Sequence, residues 1–253
     1  MSLLEVRALS KHFEGIRAVD EFSMKVRPNS ILSVIGPNGA GKTTLFNCLT
    51  GIVKPTSGNV RFSGNDVTGY QPHAIARLGI SRTFQNIRLF REMSVLENVM
   101  VAQHHRSRSG LLGAIFRWKS FRDEEWTIKQ RAFEYLELAG IADYADSLSG
   151  SLAYGVQRRL EIARALATEA VMILLDEPAA GMNPQETSNI MELIQNLKSL
   201  GKTVLLIEHD MKVVMGISDW IVVMDHGIKI AEGIPAAIQK DKMVIEAYLG
   251  KEH

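Results

Sequence analysis

Eight consecutive residues, Gly36-Pro37-Asn38-Gly39-Ala40-Gly41-Lys42-Thr43, have the types and spacing to hold a polyphosphate. They fit G-x-x-x-x-G-K-[ST], in which glycines let successive backbone N–H groups turn inward around an anion. A helix beginning there adds its partial positive charge. Lys42 then reaches β- and γ-phosphates, the Thr43 hydroxyl sits on Mg²⁺, and Thr44 closes the cradle. A second candidate is the pair Asp176-Glu177, which follows five apolar residues, 171–175. A buried strand that delivers two carboxylates to its C-terminal edge places them where open α/β sheets bind ligands. Asp176 would hold Mg²⁺, and Glu177 would orient and deprotonate an attacking water. Read alone, the two acids are equally a solvated strand end.

The elements that must position these groups are legible around them. Residues 31–35 are wholly strand-like and feed the phosphate loop, and 44–50 read as a helix closed by Gly51. Residues 3–10 and 22–27 alternate as strands, and 60–63 with 66–67 flank Gly64-Asn65 as a hairpin. A small antiparallel sheet is therefore expected from both sides of the phosphate-loop unit. Pro72 opens a helix ending near Gly79, and 80–84 is strand-like up to Gln85. From 86 the character changes: helical patterns cover 95–103 and 124–138, then Gly140. A helix is expected over about 155–167 and strands over 171–175 and 203–207. Asn183-Pro184-Gln185-Glu186 reads as a capping box with proline at the first helical position. Residues 220–224, the His226-Gly227 turn and 228–231 read as a hairpin, and 235–249 as one closing helix. Strands alternating with helices imply an α/β fold with a mostly parallel sheet. The expectation is a single domain over 1–253, with its α/β core in 1–85 and 156–253 and a helical insertion in 86–155.

Bulk properties narrow the partners. The chain has 253 residues, with 29 Lys plus Arg against 28 Asp plus Glu, a formal charge of +1. That balance gives no global basic field for nucleic acid, which is not expected as a partner. The single cysteine, Cys48, makes no internal disulfide and suits a reducing compartment. No signal peptide is visible, and the apolar runs are too short to span a bilayer. Residues 104–122 are basic and aromatic, with Arg106, Arg108, Arg117, Trp118, Lys119, Phe121 and Arg122. They fit phospholipid headgroups, an acidic loop of a partner, or a plain solvated face.

The stretch Leu152-Ala153-Tyr154-Gly155-Val156-Gln157-Arg158-Arg159-Leu160, continued by Glu161-Ile162-Ala163-Arg164-Ala165-Leu166, resembles the signature motif of ABC-transporter ATPases. Leu148-Ser149-Gly150-Ser151 looks alike but is a decoy, because Gln157-Arg158-Arg159 and the residues after it fix the register. Physically it is a second helix start preceded by small residues, hence a second anion site. The resemblance covers nearly the whole chain. It implies that Phe13 stacks on adenine, that Gln85 is the glutamine contacting Mg²⁺ or water, that 180–183 forms the D-loop, and that His209 is the switch histidine at the γ-phosphate. It implies further that Ala153, Tyr154 and Gly155 cap the nucleotide of a second chain in a head-to-tail dimer. Three departures stand out: Ala153 in place of serine, Val156 in place of glutamine, and Asn183 in place of aspartate.

Finer likeness lies in residues 152–164, in Pro178-Ala179-Ala180-Gly181-Met182-Asn183-Pro184, in Ser81-Arg82-Thr83-Phe84-Gln85-Asn86 and in Ile207-Glu208-His209-Asp210-Met211. These look like the ATPase subunit of branched-chain amino-acid importers. The resemblance implies a P-loop ATP hydrolase using ATP and Mg²⁺, peripheral on the cytoplasmic side of the inner membrane. Its partners would be transmembrane permease subunits, a second ATPase subunit (identical or a paralogue) and, indirectly, a periplasmic or extracellular solute-binding protein. Residues 86–90, with Ile87, Leu89 and Phe90, would line the groove that receives the permease. Two other readings remain at this level: a regulatory or nucleic-acid-linked ABC ATPase, and an ATP-sensing scaffold without turnover.

Overall fold

The structure is a computed structural model, described over residues 2–103 and 119–249. Of the basic aromatic stretch 104–122, residues 104–118 lie outside the described residues. Contacts divide the chain into two units: Met1–Arg82 with Val171–His253, and Thr83–Ala170.

The first unit holds two sheets. Strands β1 (Leu4–Phe13), β2 (Ile16–Val26), β4 (Ser57–Phe62) and β5 (Asn65–Asp66) form an antiparallel sheet in the order β2-β1-β4-β5. It is built from both sides of the phosphate loop, as the alternation predicts. The larger sheet takes β3 (Ile31–Ile35), β6 (Ile80–Arg82), β7 (Met172–Asp176), β8 (Thr203–Ile207), β9 (Trp220–Asp225) and β10 (Ile228–Gly233), in the order β10-β9-β3-β8-β7-β6. Its pairings are parallel except for the β9–β10 hairpin.

Period-two alternation sends alternate residues of each central strand to opposite faces. Leu32, Val34, Met172, Leu174, Leu205, Ile207, Val222 and Met224 join one buried cluster with Leu45, Phe46 and Leu49 of α1 (Lys42–Leu49) and Ile75 of α2 (Pro72–Arg77). On the other face Ile35, Ile221 and Val223 pack with Val214 of α7 (Met211–Ile217), Ile238 of α8 (Pro235–Ile238) and Val244 of α9 (Lys242–Leu249). A sheet buried on both sides explains why its strands read as continuous apolar runs.

Two local features depart from the sequence reading. The closing segment is two helices, because the Asp241 carboxylate accepts from the backbone N–H of Met243 and Val244 and starts a new helix. Residues 211–217, which carry no sequence expectation, form a helix whose N-cap Asp210 accepts from Lys212 N–H at 2.8 Å. The capping box before α6 (Pro184–Ser199) is complete: Asn183 accepts from Glu186 N–H at 3.0 Å, and Glu186 accepts from Asn183 N–H at 3.1 Å.

The second unit packs α3 (Val95–Gln103), α4 (Lys119–Leu138) and α5 (Tyr154–Ala167) against one another. Buried Val95, Val99, Ala132, Leu136 and Leu160 supply its apolar centre. Contacts place α5 with the helices, whereas the expected boundary at 155/156 assigned residues 156–170 to the core. The helix joins α3 and α4 through its apolar face, and its Arg158 bonds the carbonyls of Phe84 and Gln85. That also draws residues 83–85 into this unit, and β6 stops at Arg82 rather than running to Phe84.

Candidate active site

Parallel register brings three chain reversals to one edge of the large sheet. β3 lies between β9 and β8, and β8 between β3 and β7. The phosphate loop leaves β3, Asp176-Glu177 ends β7, and Glu208-His209 leaves β8. Asp176 is level with Ile207 across the β7–β8 pair, and Glu177 N–H donates to Ile207 C=O at 2.9 Å.

The loop is held open by close backbone packing. Gly36 and Gly41 have φ of +152° and +100°. A Cβ on Gly36 would lie 1.9 Å from Met224 O, and one on Gly41 2.1 Å from Ala18 O. Only glycine fits at either place. Gly39, also at positive φ, points into open space. Asn38 and Gly39 are exposed, whereas Pro37 and Ala40 are buried. Lys42, buried, donates through Nζ to the carbonyls of Gly36 at 2.7 Å and Pro37 at 2.9 Å. The ammonium is thus folded along the loop. The helix behind it has no side-chain cap at Gly41, leaving first-turn N–H groups directed toward the loop. Thr43 is exposed and Thr44 half-buried on that turn. Phe13, at the end of β1, is 43% exposed, and Lys11 Nζ lies over its ring, 4.7 Å from the centroid.

The two carboxylates diverge because the backbone turns between them. Asp176 is still strand and 2% exposed; Glu177 has φ +47°, a left-handed conformation that is strained for glutamate. His209 Nδ1 lies 3.8 Å from Glu177 Oε1, with the imidazole 56% exposed. Beneath it, Glu208 is fully buried and accepts from Ala179 N–H at 2.9 Å and His209 N–H at 3.1 Å. Burial pushes its pKa up. Glu208 therefore ties the His209 turn to the chain just beyond Glu177. Asp176 is paired with Arg82, Nη2 to Oδ2 at 2.9 Å. Sequence reasoning assigned no role to Arg82 or Glu208.

In the second unit Ala153 is the N-cap of α5, with extended backbone and no side-chain cap. With no hydroxyl on residue 153, this helix start has no side-chain cap. Tyr154 is 44% exposed, and Gly155 and Val156 are buried. The basic run does not form a uniform surface face: Arg158 is fully buried, donating to Phe84 O, Gln85 O, Glu161 Oε2 and Tyr154 Oη, each at 2.8 Å. Arg164 donates to Arg88 O and lies over the Phe90 ring. The Gln85 segment is therefore fastened to the signature helix by its backbone, leaving the Gln85 side chain exposed. The decoy is structural: Ser149 is buried and donates to Phe90 O at 2.9 Å.

A family model described as ABC transporter matches residues 19–180, and one described as branched-chain amino acid ATP-binding cassette transporter matches 229–253. The chain belongs to the ABC transporter family. It is 48% identical over 250 residues, covering 98% of both chains, to a protein of Pseudomonas aeruginosa named high-affinity branched-chain amino acid transport ATP-binding protein BraF. Among solved structures, an ATP-binding cassette of an ABC transporter in its ADP conformation superposes with TM-score 0.87 at 35% identity, covering 99% of this chain and 100% of that one. A dimeric ATP-binding cassette in a post-hydrolysis state, bound to ADP and Pi, superposes with TM-score 0.77 at 25% identity, covering 92% of this chain and 98% of that one. The ABC ATPases are nucleotide-binding subunits that hydrolyse ATP to drive transport. The glycine-lined cradle, its uncapped helix start, Lys42 and the nearby carboxylates are a donor set that fits ATP with Mg²⁺.

Proposed function

We propose that this chain is the ATP-hydrolysing subunit of a membrane importer for branched-chain or other hydrophobic amino acids. The observation that carries this reading is the convergence of the phosphate loop, Glu177 and His209 at the ends of β3, β7 and β8. When bound, ATP supplies the phosphoryl group passed to water, and Mg²⁺ neutralises its charge. Residues 36–44 grip the phosphates through backbone N–H groups, and Lys42 turns its ammonium toward them. Phe13 stacks on the base. Thr43 and Asp176 are the residues that would hold Mg²⁺. Glu177 accepts the proton of the attacking water at a carboxylate oxygen. His209, beside Glu177, donates to the phosphate that develops charge.

Ala153, Tyr154 and Gly155 would cap the nucleotide of a second subunit, identical or a paralogue, arranged head to tail. The exposed Tyr154 supports that role. Closure would then be a population shift driven by contacts that ATP makes only in the closed dimer. Permease subunits would dock on residues 86–90, of which Phe90 is 45% exposed. No helix among the described residues is long and apolar enough to cross a membrane, and the chain would sit peripherally on the cytoplasmic side through its permease contacts. A periplasmic or extracellular binding protein would deliver the solute.

Co-purification tests this reading. Tagged chain extracted from membranes in mild detergent is expected to bring down hydrophobic permease subunits, with ATPase activity stimulated by a loaded binding protein. Recovery of active ATPase with nucleic acid or regulatory factors in their place would overturn the transport assignment.

A further inference from the structure

The carboxylate expected to hold Mg²⁺ meets a fixed positive charge inside the protein. Arg82 Nη2 lies 2.9 Å from Asp176 Oδ2, and the two side chains are 6% and 3% exposed. The same guanidinium donates through Nη1 to Asn47 Oδ1 at 2.7 Å and Thr50 Oγ1 at 3.1 Å, both from the phosphate-loop helix and its end. Its carbon lies 5.5 Å from the centroid of the Phe46 ring. Arg82 ends β6 and pairs in register with Leu174 of β7, two residues before Asp176. It is thus clamped between β7 and α1 by a fork of directed hydrogen bonds that a lysine could not reproduce.

We propose that Arg82 makes divalent-cation binding at Asp176 conditional on nucleotide. This rests on the nucleotide and Mg²⁺ reading above. A cation approaching Asp176 in the absence of phosphates faces a carboxylate whose charge is already met, and is repelled by the guanidinium. The phosphates of a bound nucleotide bring enough negative charge to outweigh that repulsion. Arg82 is a positioning residue: it joins the phosphate-loop helix to the Asp176 strand and keeps the acid from collecting free metal between turnovers.

The experiment is Mn²⁺ binding to the full-length protein, read from the spin-resonance signal of free Mn²⁺. Wild type, Arg82→Met, Arg82→Lys, Asp176→Asn and the Arg82→Met/Asp176→Asn double variant are compared with and without ATP. Without nucleotide, Arg82→Met is expected to bind Mn²⁺ at least tenfold more tightly than wild type, and the double variant to lose that gain. Arg82→Lys, which keeps the charge, should stay within threefold of wild type. A test that leaves Arg82 intact covers the case in which its variants misfold. Asp176→Asn in an otherwise wild-type chain should leave nucleotide-free Mn²⁺ binding unchanged and weaken it at least tenfold with ATP. Tighter nucleotide-free binding that fails to appear in Arg82→Met, or that Asp176→Asn weakens in the wild-type background, overturns the inference. If Asp176→Asn has no effect even with ATP, the metal assignment itself falls and the inference falls with it.

Discussion

Replacing Arg158 by methionine is the most informative single perturbation of the helical unit. Arg158 is fully buried and donates four hydrogen bonds, to Phe84 O, Gln85 O, Glu161 Oε2 and Tyr154 Oη. Methionine keeps most of the volume and removes the charge. Glu161, 5% exposed, is then left as a buried carboxylate without its cation. Breaking a buried ion pair from one side costs about 3–5 kcal/mol. Burial pushes the Glu161 pKa above its usual 4.5, and Arg158 is the strongest influence pulling it back. Without Arg158 the carboxyl moves further up and takes a proton more readily. A group whose folded pKa is raised contributes stability below its unfolded pKa and loses it as pH rises through the folded value. The deficit of the variant should therefore shrink as pH falls from about 7 toward 5. Guanidinium denaturation, followed by far-UV circular dichroism and tryptophan fluorescence at both pH values, measures this. Arg158→Met/Glu161→Leu should recover the part of the loss that comes from the uncompensated Glu161 charge and should lose the pH dependence, while the carbonyls of Phe84 and Gln85 and the Phe84 N–H stay without these partners. A single variant within about 1 kcal/mol of wild type at pH 7, or a deficit independent of pH, would refute the reasoning.

Other expectations follow from single contacts. Gly41→Ala should abolish nucleotide binding in an equilibrium assay with a fluorescent ATP analogue, since its Cβ would sit 2.1 Å from Ala18 O; wild-type affinity would show that the loop is not held as described. Asn183→Ala removes one half of the capping box and should lower stability by about 1 kcal/mol in a thermal melt. Cys48 is buried and its thiol is pushed up to about 11 by desolvation. Native protein should therefore resist alkylation at pH 8, reacting only as it unfolds, and its stability should fall as pH climbs from about 9 toward 11. Rapid alkylation of the native state would contradict that burial.

What sequence could and could not reveal divides by distance along the chain. The phosphate loop, the Asn183–Glu186 capping box and the apolar runs of the central strands are written in adjacent residues, and they appear in the structure within a residue or two. The two-helix break at Asp241 and the seven-residue helix after Asp210 were missed because each depends on one acid choosing a backbone N–H, a local signal too brief to outweigh periodicity. The burial and pairing of Arg82, Arg158 and Glu208 were not foreseen, for a different reason. Each is an ordinary charged residue in sequence, and only the fold shows it buried against partners many residues away: Asp176 for Arg82, Phe84 for Arg158, Ala179 for Glu208. Conversely, family likeness favours 152–160 over 148–151 as the signature, and the structure shows the Ser149 hydroxyl buried and committed to Phe90 O.

The central claim is that Glu177 takes the proton of the attacking water in a site completed by a second subunit. Phosphate release and gel filtration of Glu177→Gln, each with and without ATP, test both halves of it at once. The expected result is turnover at least a hundredfold below wild type, corresponding to about 2.7 kcal/mol of lost transition-state stabilisation, and elution as a dimer only when ATP is present. Turnover close to wild type, or a variant that binds ATP and stays monomeric, would contradict it.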